Sequence, residues 1–170
     1  MSSTQALFTV RDYEQLPEGF PCELIEGHFV KEPAPYADHQ RIISRLLFLI
    51  AGVIGPDRVL PSPVDIVIDD FNVLQPDVSV FSAALPRGAR RPPLPTLVIE
   101  VLSASTAQRD RVTKSRLYLA AGIAEVWIIH PETGVIEVRT AHSSKVMQPR
   151  ETVTSHSIPE VSTTGRDLVS

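Results

Sequence analysis

The chain has 170 residues, a hydrophobic share of 43%, a charged share of 21% and a formal net charge of −4. These values suit one soluble globular domain over residues 1–170, long enough to bury a real core. They argue against a sequence-blind nucleic-acid binder that works by bulk positive charge, while leaving room for a basic patch on one face.

In chain order, the segment MSSTQALFTV lacks a basic region followed by a long apolar core, so no secretion signal is expected. Thr9-Val10-Arg11-Asp12 has the capping-box form with Asp in place of Glu, which predicts a short helix ending before Pro17. Strands Cys22 to Ile25 and His28 to Val30 flank Glu26-Gly27 and predict a hairpin with a two-residue turn. Cys22 is the single cysteine, which excludes an internal disulfide and a thiol-rich metal site. A proline-broken loop runs from Lys31 to Tyr36. Asp38 is placed to cap a helix over about His39 to Ala51, with His39, Ile43, Leu46, Ile50 and Val53 on one face. The apolar run Ile42 to Ile54 contains Ser44 and Arg45 and is too short to span a bilayer, so the expected setting is cytoplasmic with no membrane partner.

Strands are expected at Arg58 to Leu60 and Val64 to Asp69, then a turn at Asp70-Phe71-Asn72. Val73 to Asp77 leads into a buried strand, Val78 to Phe81, and Pro76 limits pairing so that Asp77 sits where that strand begins. Ala83 to Pro95, with four prolines and Arg87, Arg90 and Arg91, reads as a surface loop. Leu97 to Leu102 is a buried strand with Glu100 inside it. Thr106 is a suitable N-cap for a helix to about Ala121, stopped by Gly122. Glu125 to Ile129 and Val135 to Arg139 are two more strands around a turn at Pro131 to Gly134. The polar tail from Ala141 carries no assignable element. This order suits an α/β or α+β fold, a mixed β-sheet flanked by helices. There is no Gly-rich phosphate loop of the form GxGxxG or GxxxxGK.

The charges inside apolar elements stand out. Glu100 lies in a strand of branched side chains. On the following helix Ala107, Asp110, Lys114, Leu117 and Ala121 share one stripe. Ionised groups converging near a core must be paired or must bind something. From Thr106 to Lys114 the helix rises roughly 12 Å, while Glu100 lies roughly 7 Å back from its strand end. A helix folded back over that strand therefore brings Lys114 to Glu100. If Asp77 lies on the neighbouring strand, two carboxylates and one ammonium meet. Mg²⁺ takes such oxygen ligands, usually one or two carboxylates plus phosphate oxygens. The chemistry implied is metal-assisted phosphodiester hydrolysis.

Asp77 inside Gln-Pro-Asp-Val-Ser-Val, Glu100 inside Leu-Val-Ile-Glu-Val-Leu-Ser and Lys114 inside Asp110-x-x-x-Lys114-x-x-x-Tyr118 resemble the PD-(D/E)XK nuclease superfamily. More narrowly, they resemble the Uma-two family of putative restriction endonucleases. Glu23-Leu24-Ile25-Glu26-Gly27, His39 at its helix start and Ala121 to Ile129 match that family's run of motifs, so the resemblance covers Val10 to Arg139. It implies a restriction-endonuclease-like core and a Mg²⁺- or Mn²⁺-dependent endonuclease acting on nucleic acid, DNA foremost. It also implies Asp77 and Glu100 as metal ligands and Glu23 as an accessory catalytic acid. The superfamily lysine usually follows the Glu by two residues. Leu102 stands there, so the role passes to Lys114, as in the family. Ala104 replaces the Pro of the family's Ser-Pro-Ser-Thr turn, and His130 stands where the family usually has Asp.

Plainer readings stand beside these. Glu23, alternating with Leu24 on a short strand, reads equally as a solvated residue, and Glu26 as a turn residue. His39 is either a satisfied capping histidine or a group near the metal or the phosphate. Asp110 reads as the orienter of Lys114. Arg87, Arg90, Arg91, Arg109, Arg111 and Arg116 are either phosphate contacts or solvated charges. Trp127 reads as core. The alternative function is a catalytically weak or inactive nuclease-fold module that binds or regulates. A homodimer would set two sites against two strands.

Overall fold

The structure, a computed structural model, describes residues 6–31, 34–88, 91–103 and 109–170, the side chains of 109 and 110 excepted. Asp12 Oδ2 accepts the Thr9 backbone N–H at 2.7 Å and the Thr9 hydroxyl at 2.8 Å. This short carboxylate starts the one-turn helix α1, Val10–Tyr13. Strands β1 (Cys22–Ile25) and β2 (His28–Lys31) form the expected hairpin, with Ile25 opposite His28. Glu26 and Gly27 both have positive φ, 49° and 76°, the turn geometry that matches strand twist. Glu26 tolerates it with its backbone N–H donated to the Asn72 side chain at 2.7 Å.

Helix α2 spans Ala37–Ile54, longer than expected at both ends. Tyr36 occupies the N-cap position with extended backbone, and Asp38 lies in the first turn, where its charge suits the helix dipole. Asp38 is therefore not the cap. Ile42, Ile43, Leu46 and Ile50 are buried, whereas Val53 is 53% exposed. Val53 keeps the phase of the apolar stripe but lies in the last turn, and phase alone does not tell where the covering surface ends. A 3₁₀ turn over Pro56–Arg58 leads to β3 (Val59–Pro61). Then come β4 (Ile66–Asp69) and β5 (Asn72–Leu74), which was not expected as a strand. The Asn72 amide donates to the Asp69 carboxylate at 2.8 Å, which closes the turn tightly enough for pairing to resume at Asn72. These strands make a small antiparallel sheet in the order β2-β1-β5-β4.

The larger sheet adds β6 (Val78–Val80), β7 (Leu97–Val101), β8 (Glu125–Ile129), β9 (Ile136–Arg139) and β10 (Ser144–Met147) in the order β10-β9-β8-β7-β6-β3. Among the described residues of this sheet, β7 and β8 pair in parallel and the other pairs are antiparallel. The connection between them carries a π-helical turn, Arg109–Lys114, that runs into α3, Ser115–Ala120. The expected helix start at Thr106 lies outside the described residues. Gly122, at φ 95°, ends the helix as expected.

Alternation along β7 sorts the core. Leu97, Ile99 and Val101 pack with Ile43, Leu46 and Ile50 of α2 and with Trp127 and Ile129 of β8. Val98 and Leu102 pack on the other face with Leu117, Tyr118, Val126, Ile128, Ile25 and Leu74. The large sheet thus lies between α2 and a layer made of α3 and the small sheet. Glu100 falls on the second face, by the strand period of two.

The tail beyond Ala141 is ordered into β10, a two-stranded sheet of β11 (Thr152–Thr154) with β12 (Ser162–Thr164), and α4 (Gly165–Val169). Val153, Ile158, Val161 and Leu168 join the α2-side core. Glu125, 1% exposed, fastens this segment. Its Oε1 accepts the Trp127 indole N–H at 2.7 Å, and its Oε2 accepts from the Ser155 hydroxyl at 2.7 Å and the His156 N–H at 3.0 Å. Among the described residues no helix is long and apolar enough to cross a membrane.

Leu46 is fully buried against β7 and β8, whereas Phe48, two residues on, is 86% exposed. Leu46→Ala should lower unfolding free energy by about 2–5 kcal/mol, and Phe48→Ala should change it by less than about 0.5 kcal/mol. Urea unfolding followed by circular dichroism checks both.

Candidate active site

Val78 pairs with Ile99 across β6 and β7. Asp77, one residue before β6, therefore stands beside Glu100 on the same face, since opposite residues of an antiparallel pair share a face. The Val101 N–H donates to Asp77 Oδ2 at 2.7 Å, and His39 Nε2 lies 3.2 Å from the same oxygen. His39 comes from the first turn of α2, so the helix start is held against the end of the strand pair. The Asp77 carbonyl also accepts the Ser62 N–H at 3.0 Å, which continues the β3 ladder past Pro61. Both ends of Asp77 are fixed although it lies outside the strand.

Glu100 and Lys114 are 1% and 3% exposed. The Lys114 ammonium lies 2.8 Å from Glu100 Oε1 and 2.9 Å from Glu23 Oε1. The expected approach of Lys114 to Glu100 is present, carried by the π-helical turn, while the rise from Thr106 lies outside the described residues. Glu23 is fully buried, which corrects its reading as a solvated residue. It shares the β1 face of Ile25, and that face meets the large sheet rather than water. Two carboxylates and one ammonium away from water are tolerable only when further hydrogen bonds complete them. The Tyr118 hydroxyl, one turn beyond Lys114, donates to Glu100 Oε1 at 2.6 Å, and the Gln75 N–H donates to Glu23 Oε1 at 2.6 Å. Burial foremost, then the adjacent Glu100 charge, push the Tyr118 hydroxyl well above its ordinary 10.0, so it remains a donor.

The π-helical turn is pinned as well. Arg111 Nε lies 2.7 Å from Glu137 Oε1, and His130 Nε2 lies 2.8 Å from the same oxygen. Burial pushes the Glu137 carboxyl up, but hydrogen bonds from His130 and Arg139 outweigh it and hold the carboxyl below its ordinary value. His130, where the family resemblance expects Asp, thus helps anchor the turn that carries Lys114.

Asp77, Glu100, Lys114, His39, Gln75 and Ser103 line one cavity of about 1180 Å³. Two adjacent carboxylates on such a cavity form a hard-oxygen donor set that fits Mg²⁺ or Mn²⁺, which complete their shells with water and phosphate oxygens. Glu23 Oε2 is a buried carboxylate oxygen with no hydrogen-bond partner among the described residues, a further acceptor beside the pair. No cluster of three or more His, Cys, Asp or Glu is arranged to hold an ion among the described residues.

The structure therefore brings together Asp77, Glu100, Lys114 and Glu23, with His39 against Asp77. The side chain of Asp110 lies outside the described residues, as do Arg90 and the side chain of Arg109. Arg91 pairs with Glu14, Arg111 with Glu137 and Arg116 with Glu26, so these arginines already have partners. Tyr118 and Gln75 had no assigned role. Tyr118 was detectable, four residues after Lys114 and hence on its face. Gln75 acts through a backbone N–H, which leaves no mark in the side-chain pattern.

The mixed sheet flanked by helices is that of a nuclease-like α/β fold. The chain is similar to the crystal structure of a putative nuclease belonging to DUF820 from Anabaena variabilis, with a TM-score of 0.81, 25% identity, and coverage of 95% of this chain and 97% of that one. The family described as Uma2, putative restriction endonuclease, matches residues 10–167, and the chain belongs to that family. Among curated proteins none matches.

Two outcomes are expected. Lys114→Met should destabilise the fold by about 3–5 kcal/mol, because it leaves two buried carboxylates without their cation; chemical unfolding at neutral pH measures this. The folded chain holds the Tyr118 proton to higher pH than the unfolded chain. That contribution is complete below the unfolded value near 10.0 and is lost as pH rises through the folded one. Stability should therefore fall more steeply above pH 10 in the parent chain than in Tyr118→Phe, by urea unfolding across the alkaline range. Tyr13, also raised by burial, is common to both.

Proposed function

We propose that the chain is a metal-dependent endonuclease that hydrolyses phosphodiester bonds in DNA. The observation that carries this reading is the placement of Asp77 beside Glu100 on one cavity, with the Lys114 ammonium 2.8 Å from Glu100. Asp77 and Glu100 are the residues that would hold the cation. When bound, Mg²⁺ or Mn²⁺ offsets charge on the scissile phosphate and makes water more acidic. Lys114 brings a fixed positive charge to the same wall and stabilises negative charge as it builds up on the phosphoryl oxygens. Tyr118 and Glu23 hold that ammonium and its carboxylate in place, so little reorganisation accompanies the reaction. Glu23 is an accessory carboxylate that acts through Lys114, and His39 orients Asp77.

Plasmid and single-stranded DNA incubated with Mg²⁺ or Mn²⁺, and with chelator, test the reading. Cleavage should need the cation and should fall by about a hundredfold or more in Asp77→Asn and in Glu100→Gln. Unchanged cleavage in both variants would remove the proposal.

One observation favours a second reading. Lys114 pairs with Glu23 and Glu100 together, so the charges also suit a purely structural lock in a nuclease-fold binding or regulatory module. Calorimetry separates the two: micromolar Mn²⁺ affinity that is lost in Asp77→Ala supports the enzyme, and no measurable affinity supports the module.

A further inference from the structure

Seen from the site outward, the cavity that holds Asp77, Glu100 and Lys114 has an aromatic side. Phe20 and Tyr36 both line it, 48% and 81% exposed. Single exposed apolar residues are ordinary on a protein surface. Two exposed rings on the wall of the cavity that contains the carboxylates are a different matter. By contrast, Phe8 packs on Phe29 with centroids 4.5 Å apart, and the Tyr13 hydroxyl donates to Asp65 at 2.8 Å.

Both exposed rings are held by their backbones. Phe20 precedes Pro21, which confines it to extended conformations. Its N–H donates to the Pro17 carbonyl at 3.0 Å, and its carbonyl accepts the Cys22 N–H at 2.9 Å. Tyr36 follows Pro35 and is the N-cap residue of α2, its carbonyl accepting the Gln40 N–H at 3.2 Å. The backbones that carry the rings are thus fixed beside the cleft, which confines the ordering loss on stacking to the side-chain torsions.

Charge points the same way. A duplex is gripped through many phosphate contacts from unpaired cations. Here the chain carries a net charge of −4, and Arg91, Arg111 and Arg116, each half-exposed, lie against a carboxylate. Among the described residues that line the cavity, Lys31 is an exposed cation that can meet a phosphate. Affinity that does not come from phosphates can come from bases, and a base offers its π-face only when it is unpaired.

We propose that the cleft takes a single strand of nucleic acid, with bases stacked on Phe20 and Tyr36 and the backbone passing Lys31 toward the carboxylate pair. The proposal rests on the nucleic-acid reading of the same cleft and narrows its substrate to single strands, unpaired ends or opened duplex.

The test measures binding and cleavage separately. Fluorescein-labelled 12-mers of single-stranded DNA, the same sequence as RNA, and the DNA duplex are titrated with the full chain in EDTA, read by anisotropy. Single strands should bind about tenfold or more tighter than duplex. Tyr36→Ala and Phe20→Ala should each weaken single-strand binding by about fivefold to a hundredfold, with Tyr36→Phe retaining it and thermal melts unchanged. Equal or tighter duplex binding, single-strand binding untouched by both alanine variants, or no binding of any probe overturns the proposal. The DNA and RNA arms show which strand is preferred; either preference agrees with stacking. Cleavage assays with Mn²⁺ keep the two proposals apart. Glu100-dependent cleavage that ignores both rings sinks the aromatic wall alone. Ring-dependent binding without any cleavage sinks the nuclease reading alone.

Discussion

One buried ammonium holds the molecule's working end together. Lys114 touches Glu23 from the small sheet and Glu100 from the large one, and it arrives on the connection between two parallel strands. Taking three charges out of water costs several kcal/mol per ion. The arrangement survives because each carboxylate also receives a second donor, Tyr118 on Glu100 and the Gln75 N–H on Glu23. Any slip of one sheet against the other would leave a charge without its partner. The bridge therefore fixes the relation of the two sheets more sharply than apolar packing alone, which tolerates rearrangement.

That constraint explains how the site and the core coexist. The strand that carries Glu100 sends Leu97, Ile99 and Val101 to α2 and Val98 and Leu102 to the opposite layer. The carboxylate interrupts only the second face, and there at its margin, where Asp77 and the cavity begin. The α2 face remains an uninterrupted apolar contact. The chain thus places its chemistry at the end of one layer and leaves its main core undisturbed.

Much of this was legible in the residues, for physical reasons. Glu100 was conspicuous because a charge within a run of branched apolar side chains needs an explanation. Lys114 followed from helical spacing and the reach of its side chain. Asp77 was marked by the proline before it. Glu23 was ambiguous because Cys-Glu-Leu-Ile looks the same whether its polar face meets water or a second sheet; only the packing of two sheets decides. β5 was missed because a tight side-chain closure between Asp69 and Asn72 let pairing resume sooner than turn composition suggests. The tail was illegible because its three-residue strands are too short to show a period, and its anchor is a carboxylate some thirty positions upstream.

That anchor changes what the tail is. Glu125 opens the strand that pairs with the Glu100 strand, and residues 155–157 wrap its outer oxygen with two hydroxyls and two backbone N–H groups. The segment has the character of an anion-binding loop whose anion is supplied by the same polypeptide. Docking it and completing the hydrogen bonds of the Glu125 carboxylate are one event. A cut in the exposed connection before β11 would leave the fragment bound as a noncovalent guest, while loss of the loop would leave a bare carboxylate beside the Trp127 indole. The polar end of the chain is in this sense a resident ligand of its own core.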